Sequence, residues 1–423
     1  MKINKDKIIN FVNLLKQYNF LDYVNEYNIN SIIDLLNKIG SPNMRDLEKI
    51  CNSSRDIITK LNNNYNLFNN SFVEYQNKSL TSYSNVRKDL HYIPSYSNED
   101  SDIARKIKQV TIKKNYVLQI DDFKVNLFFY CSSQDLDETF VHDTAQIIYM
   151  FIKTFSRNDN LYKNYNFRFL LIDHPRVLNT DIKQAAIDGD FNNSSGMTNI
   201  FNKELIVTRL SGFNGLLIHE LLHLLGLEFC FSHKDNDYSH YEDWINDWIA
   251  PTNLSKNHGV KNLYEGICNT TSSYFLSIYN SIKLSNLKNS NNIDKLIKYF
   301  CYFFYIEFIH ALIQCVRLLK GYGINRYSDF VNSNNELYYQ ESLMFEYIVL
   351  RYYIINDYYR LLLKRMLKQD FNDNSQLENE HFQNNLNTNI LRLVNVPKLK
   401  TLFNDISNNL YIGDINYIEY FCI

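Results

Sequence analysis

No charge of either sign dominates this sequence: 44 Lys and Arg stand against 46 Asp and Glu, a formal net charge of −2 with a pI near 6.6. That balance leaves no electrostatic footprint for nucleic acid or an acidic membrane surface, so neither is expected as a partner. Glycine and proline are scarce, 11 and 5 residues in 423, while Asn, Ile, Lys and Tyr abound. This bias reads as the codon usage of an AT-rich genome and says nothing about chemistry. No C-x-x-C pair occurs among Cys51, Cys131, Cys230, Cys268, Cys301, Cys315 and Cys422, a scatter expected of reduced thiols in a cytoplasmic setting. Cys230 reads as a buried free thiol. The first eleven residues mix Lys, Asn and Asp with their Ile, so a signal peptide is not expected there.

An uncharged run long enough to span a membrane is lacking too. Tyr299 to Leu319 comes nearest, but Glu307, His310, Gln314 and Arg317 recur at steps of three, four and three, which draws one polar stripe down a helix. Charges inside a true span are costly, so this stretch is expected to be a buried helix rather than a membrane span. Its stripe then faces a hydrogen-bonded core network, a solvent-facing seam or a substrate cleft.

What the chain does have is Leu216-Leu217-Ile218-His219-Glu220-Leu221-Leu222-His223-Leu224-Leu225-Gly226. Residues four apart share one face of a helix, so His219 and His223 project side by side, placed to grip one cation. Zinc suits neutral imidazole, and a catalytic zinc keeps three protein ligands so that water can take the fourth position. Glu220 follows His219 by about 100° around the helix, beside the metal rather than on it, where a general base for an activated water belongs. Ser211 is expected to cap this helix and Gly226 to end it. Leu217, Ile218, Leu221, Leu224 and Leu225 back it, and a polar triplet buried among leucines needs a partner.

A chain of this length is expected to form two or three domains. Residues 1–105 read as helices (Ile8 to Leu15, Ile29 to Ile39, Met44 to Asn62) with a polar linker from Ser79 to Asp102. From 106 to 260 the periodicity changes to α+β: a strand Phe123–Tyr130, a helix Glu138–Phe155 and a strand Asn166–Ile172. A loop around Asn193-Ser194-Ser195-Gly196-Met197 follows, then an edge strand Leu205–Arg209 running into the His-bearing helix. An exposed edge strand suits an extended peptide, which can add to it through backbone hydrogen bonds. Residues 261–423 read as mostly helical, with a polar loop from Asp370 to Asn385.

The motif and this order of elements resemble the zincin metallopeptidases. The metzincin pattern wants His six residues past the second His, and Phe229 stands there. The gluzincin pattern wants a glutamate on a following helix roughly twenty residues on, and Tyr241-Glu242-Asp243-Trp244-Ile245-Asn246-Asp247-Trp248 offers Glu242. That resemblance implies Glu242 as third ligand, with Asn246 or Asp247 orienting a ligand histidine. Glu228, Asp243, His233, His240 and Asp247 stand as competing ligands, and the helix dipole alone favours acidic residues in a first turn.

The chain also resembles metallopeptidases encoded by large nucleocytoplasmic DNA viruses. The likeness covers about Phe123 to Tyr353. It rests on Asn193 to Gly196, the strand ending in Arg209, Gly226-Leu227-Glu228-Phe229, the 241–244 segment, Glu307 to Leu319 and Tyr339-Gln340-Glu341-Ser342 with Tyr347. Gly212-Phe213, Ser342 and Asn246 depart from the pattern, where an acidic residue with an aromatic, a Thr and a carboxylate are usual. By this resemblance the helical carboxyl-terminal domain completes the cleft, and Arg209, Glu228, His310 and Glu341 become candidates for substrate or supporting contacts. A viral chain of this kind would act in the host cytoplasm or a virion.

The expected chemistry is zinc-dependent hydrolysis of a protein or peptide substrate, with Glu220 passing a proton from water to the leaving amine. Two alternatives stand beside it: a non-cleaving structural or virion-associated protein that retains the domain, and a zinc hydrolase acting on a non-peptide amide.

Overall fold

The computed structural model describes residues 5–18, 51–52, 54–90, 102–132, 136–156, 164–172, 196–210, 212–227, 263–290, 292–321, 325–326, 348 and 351. In chain order the elements are α1 (Lys5–Gln17), α2 (Arg55–Leu67), β1 (Val73–Leu80), α3 (Tyr83–Asp89), α4 (Asp102–Lys108), β2 (Ile112–Ile120), β3 (Phe123–Cys131), α5 (Glu138–Phe155), β4 (Asn164–Leu170), β5 (Gly196–Asn199), β6 (Glu204–Val207), α6 (Phe213–Leu224), α7 (Leu263–Leu287) and α8 (Ile293–Gly321). They fall into two compact units: residues 57–176 with 186–227, and the rest of the chain.

The first of these units is α+β, built on a six-stranded mixed sheet in the order β1-β2-β3-β4-β6-β5. β1, β2 and β3 are antiparallel neighbours; β3, β4 and β6 run parallel; β5 returns antiparallel to β6. Helices lie on both faces, yet β3 and β4 alternate buried apolar residues (Val125, Leu127, Phe129; Tyr165, Phe167, Phe169) with less buried ones (Asn126, Phe128; Asn166, Arg168) before each ends in buried residues. Tyr130, Leu170 and Ile206 join Val86 of α3, Leu90 at its C-cap and Ile107 of α4 on one face. On the opposite face Phe129 lies 4.9 Å from Phe169, and Phe213 of α6 lies 5.5 Å from Phe169 and 4.8 Å from Phe140 of α5. α5 starts on Asp137, whose carboxylate accepts from the Thr139 N–H at 2.9 Å, a standard N-cap.

Three readings of the sequence change here. The stretch from Ser79 to Asp102 is not simply a linker, since it holds the end of β1 and all of α3, capped by Ser82. β1 escaped pattern reading because it is the outer strand paired with β2 in the described sheet, with seven of its eight residues exposed, so no apolar alternation marks it. Leu205–Arg209 is not the edge strand: β6 is fully buried between β4 and β5, and among the described residues the edge is β5, which begins inside the segment read as a loop. The chain turns back from β5 to β6 through Lys203, at φ +52°.

The second unit contains α1, α7 and α8. Phe11 of α1 packs against Tyr302 and Phe303 of α8, with ring centroids 4.9 and 5.0 Å away. α8 is the one helix among the described residues long and apolar enough to cross a membrane; 89% of its most apolar window, of mean hydropathy 1.5, is buried within the protein. Its stripe of Glu307, His310, Gln314 and Arg317 is buried as well, which excludes a solvent-facing seam. Arg351 donates to Glu307 across 2.5 Å in that interior. The cysteines also differ from the all-thiol reading, because Cys51 and Cys301 are joined with their Cα atoms 5.9 Å apart. Their sequence separation of 250 hides the pairing from any spacing argument, while Cys131, Cys268 and Cys315 are buried and in no disulfide.

Candidate metal centre

α6 is buried nearly all round, Asn214 and His223 being the partly accessible positions, which is what its leucines and isoleucine on every side imply. It starts at Gly212, whose φ of +63° reverses the chain after β6 and whose carbonyl accepts from the Leu216 N–H at 3.0 Å. The N-cap position is therefore a glycine, with no side chain to cap the helix, while Ser211, the expected cap, lies outside the described residues. At the other end Gly226, at φ +63°, donates to the His223 carbonyl at 3.1 Å while Leu227 donates to that of Leu222 at 2.9 Å. These paired bonds form the Schellman stop that a glycine in this conformation permits.

Between those ends the i, i+4 spacing brings the two imidazoles together. His219 Nε2 and His223 Nε2 lie 3.0 Å apart, with the rings inclined at 73°. Two nitrogens held at about 2.0–2.1 Å by one tetrahedral zinc would stand about 3.3 Å apart, so closing on a shared cation needs an adjustment of a few tenths of an ångström. The donor set fits zinc, and both rings offer the same nitrogen to one point.

Glu220, between the two histidines, contacts β5. Thr198 Oγ1 donates to Glu220 Oε2 at 2.7 Å and lies 3.0 Å from the Glu220 carbonyl oxygen. Gly196, two residues earlier, sits so close that a Cβ built on it would fall 2.4 Å from Glu220 Oε1. Neither Gly196 nor Thr198 stood out as a functional position in the sequence, although a Gly-x-Thr pair in a short strand places both residues on one face.

Of the other candidates, Arg209 is fully buried just after β6, and His310 is fully buried in the second unit. Glu242, Asn246, Asp247, Glu228 and Glu341, with the competing Asp243, His233 and His240 and the thiol Cys230, lie outside the described residues. Compared with protein-family models, curated proteins and solved structures, the chain matches none.

Proposed function

We infer that this chain is a zinc metallopeptidase on a zincin-like core, with His219 and His223 as zinc ligands, Glu242 as the third, and Glu220 as general base. The observation that carries this reading is the pair of Nε2 atoms 3.0 Å apart on a buried helix whose intervening glutamate faces the neighbouring strand. The sheet supports it too. Among the described residues β5 is the outermost strand on its side of the sheet, antiparallel to its neighbour and packed against the helix that holds the histidines. Such an edge receives an extended peptide through its backbone groups and lays the scissile bond beside α6.

Zinc, when bound, supplies a Lewis acid that polarises a carbonyl and draws the pKa of water down toward about 7. His219 and His223 hold it as neutral imidazoles. Glu220 accepts the proton of the attacking water on its carboxylate and delivers it to the departing amine. Glu220 is 5% exposed, and a carboxylate shielded from bulk water interacts more strongly with the groups beside it.

The test is metal analysis together with cleavage of a mixed peptide library. Wild type is expected to carry one zinc per chain and to cleave; His223→Ala and Glu242→Ala to lose both; Glu220→Gln to keep the metal and lose roughly 10²–10⁴-fold in turnover. Wild type without zinc, or Glu220→Gln cleaving at the wild-type rate, overturns the reading. Zinc without cleavage favours a structural zinc protein.

A further inference from the structure

Gly196 and Thr198 share the face of β5 that is turned toward α6. Thr198 places its hydroxyl 2.7 Å from Glu220 Oε2, while the missing side chain of Gly196 leaves the room that Oε1 and Cδ of Glu220 occupy, 2.4 and 2.8 Å from where a Cβ would stand. Glu220 is 5% exposed, so its carboxylate lacks the water that would otherwise solvate it, and a flexible side chain there takes its position from such neighbours.

We propose that Thr198 is a positioning residue for the general base, and that Thr198 and Gly196 form a cradle on the edge strand that fixes the Glu220 carboxylate. The proposal rests on the peptidase reading of Glu220. It means that one short strand both receives the peptide and holds the base, so the scissile carbonyl and the proton acceptor are registered by the same four residues of backbone. The hydroxyl has a single proton. It goes to the closer carboxylate oxygen, and the 3.0 Å approach to the Glu220 carbonyl is the longer arm of a shared contact.

Three variants test this. Thr198→Val keeps the shape and removes the donor. Thr198→Ser keeps the donor. Gly196→Ala presses a methyl group into the carboxylate at a position whose φ is not positive, so the backbone accepts it and the flexible end of Glu220 must move. With zinc content equal to wild type, Thr198→Val and Gly196→Ala are expected to lower kcat roughly 10–100-fold with KM within about twofold, and Thr198→Ser to recover most of the loss. A readout independent of zinc and turnover accompanies these: a double-mutant cycle of Thr198→Val with Glu220→Ala on the unfolding equilibrium of metal-free protein. A non-additivity of at least about tenfold in the unfolding constant is expected. An additive cycle, or wild-type kcat in Thr198→Val, overturns the positioning role alone. A wild-type protein that cleaves no peptide overturns the general-base reading and this proposal with it.

Discussion

Replacing Phe213 with Ala should separate the anchoring of α6 from the chemistry it carries. Phe213 occupies the first turn of α6, is 4% exposed, and meets Phe140 of α5 at 4.8 Å and Phe169 of β4 at 5.5 Å. It thus joins one helix to both another helix and the sheet. Truncating such a side chain costs about 3–5 kcal/mol, through lost transfer energy and a cavity that the flanking rings cannot fill, while Phe213→Leu should cost under about 1.5 kcal/mol. The unit carrying α6 spans residues 57–176 and 186–227. For a domain of roughly 160 residues each kcal/mol moves Tm about 2–4 °C, so Phe213→Ala should melt roughly 6–20 °C lower. His219 and His223 lie one and a half turns or more beyond Phe213, so zinc stoichiometry well below the transition should be unchanged. The assay is calorimetry or near-ultraviolet circular dichroism, paired with metal analysis of the folded protein. A loss below about 1 kcal/mol would refute the view that this aromatic contact fixes α6, and lost zinc binding in a still-folded variant would refute the separation.

Two further perturbations test the packing around the sheet and around α8. Burial raises the pKa of Asp89, but the hydrogen bonds from Lys113 and Tyr130 and the charges of Lys113 and Arg168 outweigh it and hold the carboxyl below its usual 3.8. A carboxyl lowered on folding contributes stability above its unfolded pKa, which is lost as pH falls through the folded value. The stability gap between wild type and Asp89→Asn should therefore be widest above about pH 5 and close on acidification below about pH 4, as denaturant melts across pH will show; a gap that is flat across that range counts against the network. In the second unit, Glu307→Gln leaves Arg351 facing a neutral partner in a site where both side chains are 1% exposed. It should cost about 3–5 kcal/mol in a denaturant melt, whereas joint replacement of both residues by apolar ones of similar volume should cost much less.

The helix carrying the histidines was legible because its signals are local. An i, i+4 pair, a glutamate between them, flanking leucines and a terminal glycine are all set by residues within one helix length, and the structure returns each. The strands at Phe123 and Asn166 and the helix between them were legible for the same reason. β1 and β5 were not. β1 is almost wholly exposed and β5 is four partly buried residues long, so neither carries the apolar rhythm that marks a strand facing a core. Leu205-Ile206-Val207 carried a different signal: an unbroken apolar run belongs to a strand buried on both faces, and β6 is such a strand.

The sequence by itself determined which groups are offered to a metal, because helix geometry converts a spacing of four into a shared face without help from the rest of the chain. Only the tertiary structure decided where the glutamate between them points. Glu220 is held by a hydroxyl and a bare glycine more than twenty positions earlier, on a strand that exists only because β6 lies between it and β4. The joining of Cys51 to Cys301 and the pairing of Glu307 with Arg351 are of the same kind. Each depends on bringing distant segments together, and the loop entropy that opposes this is overcome by burial of the whole core, a quantity that no local pattern encodes.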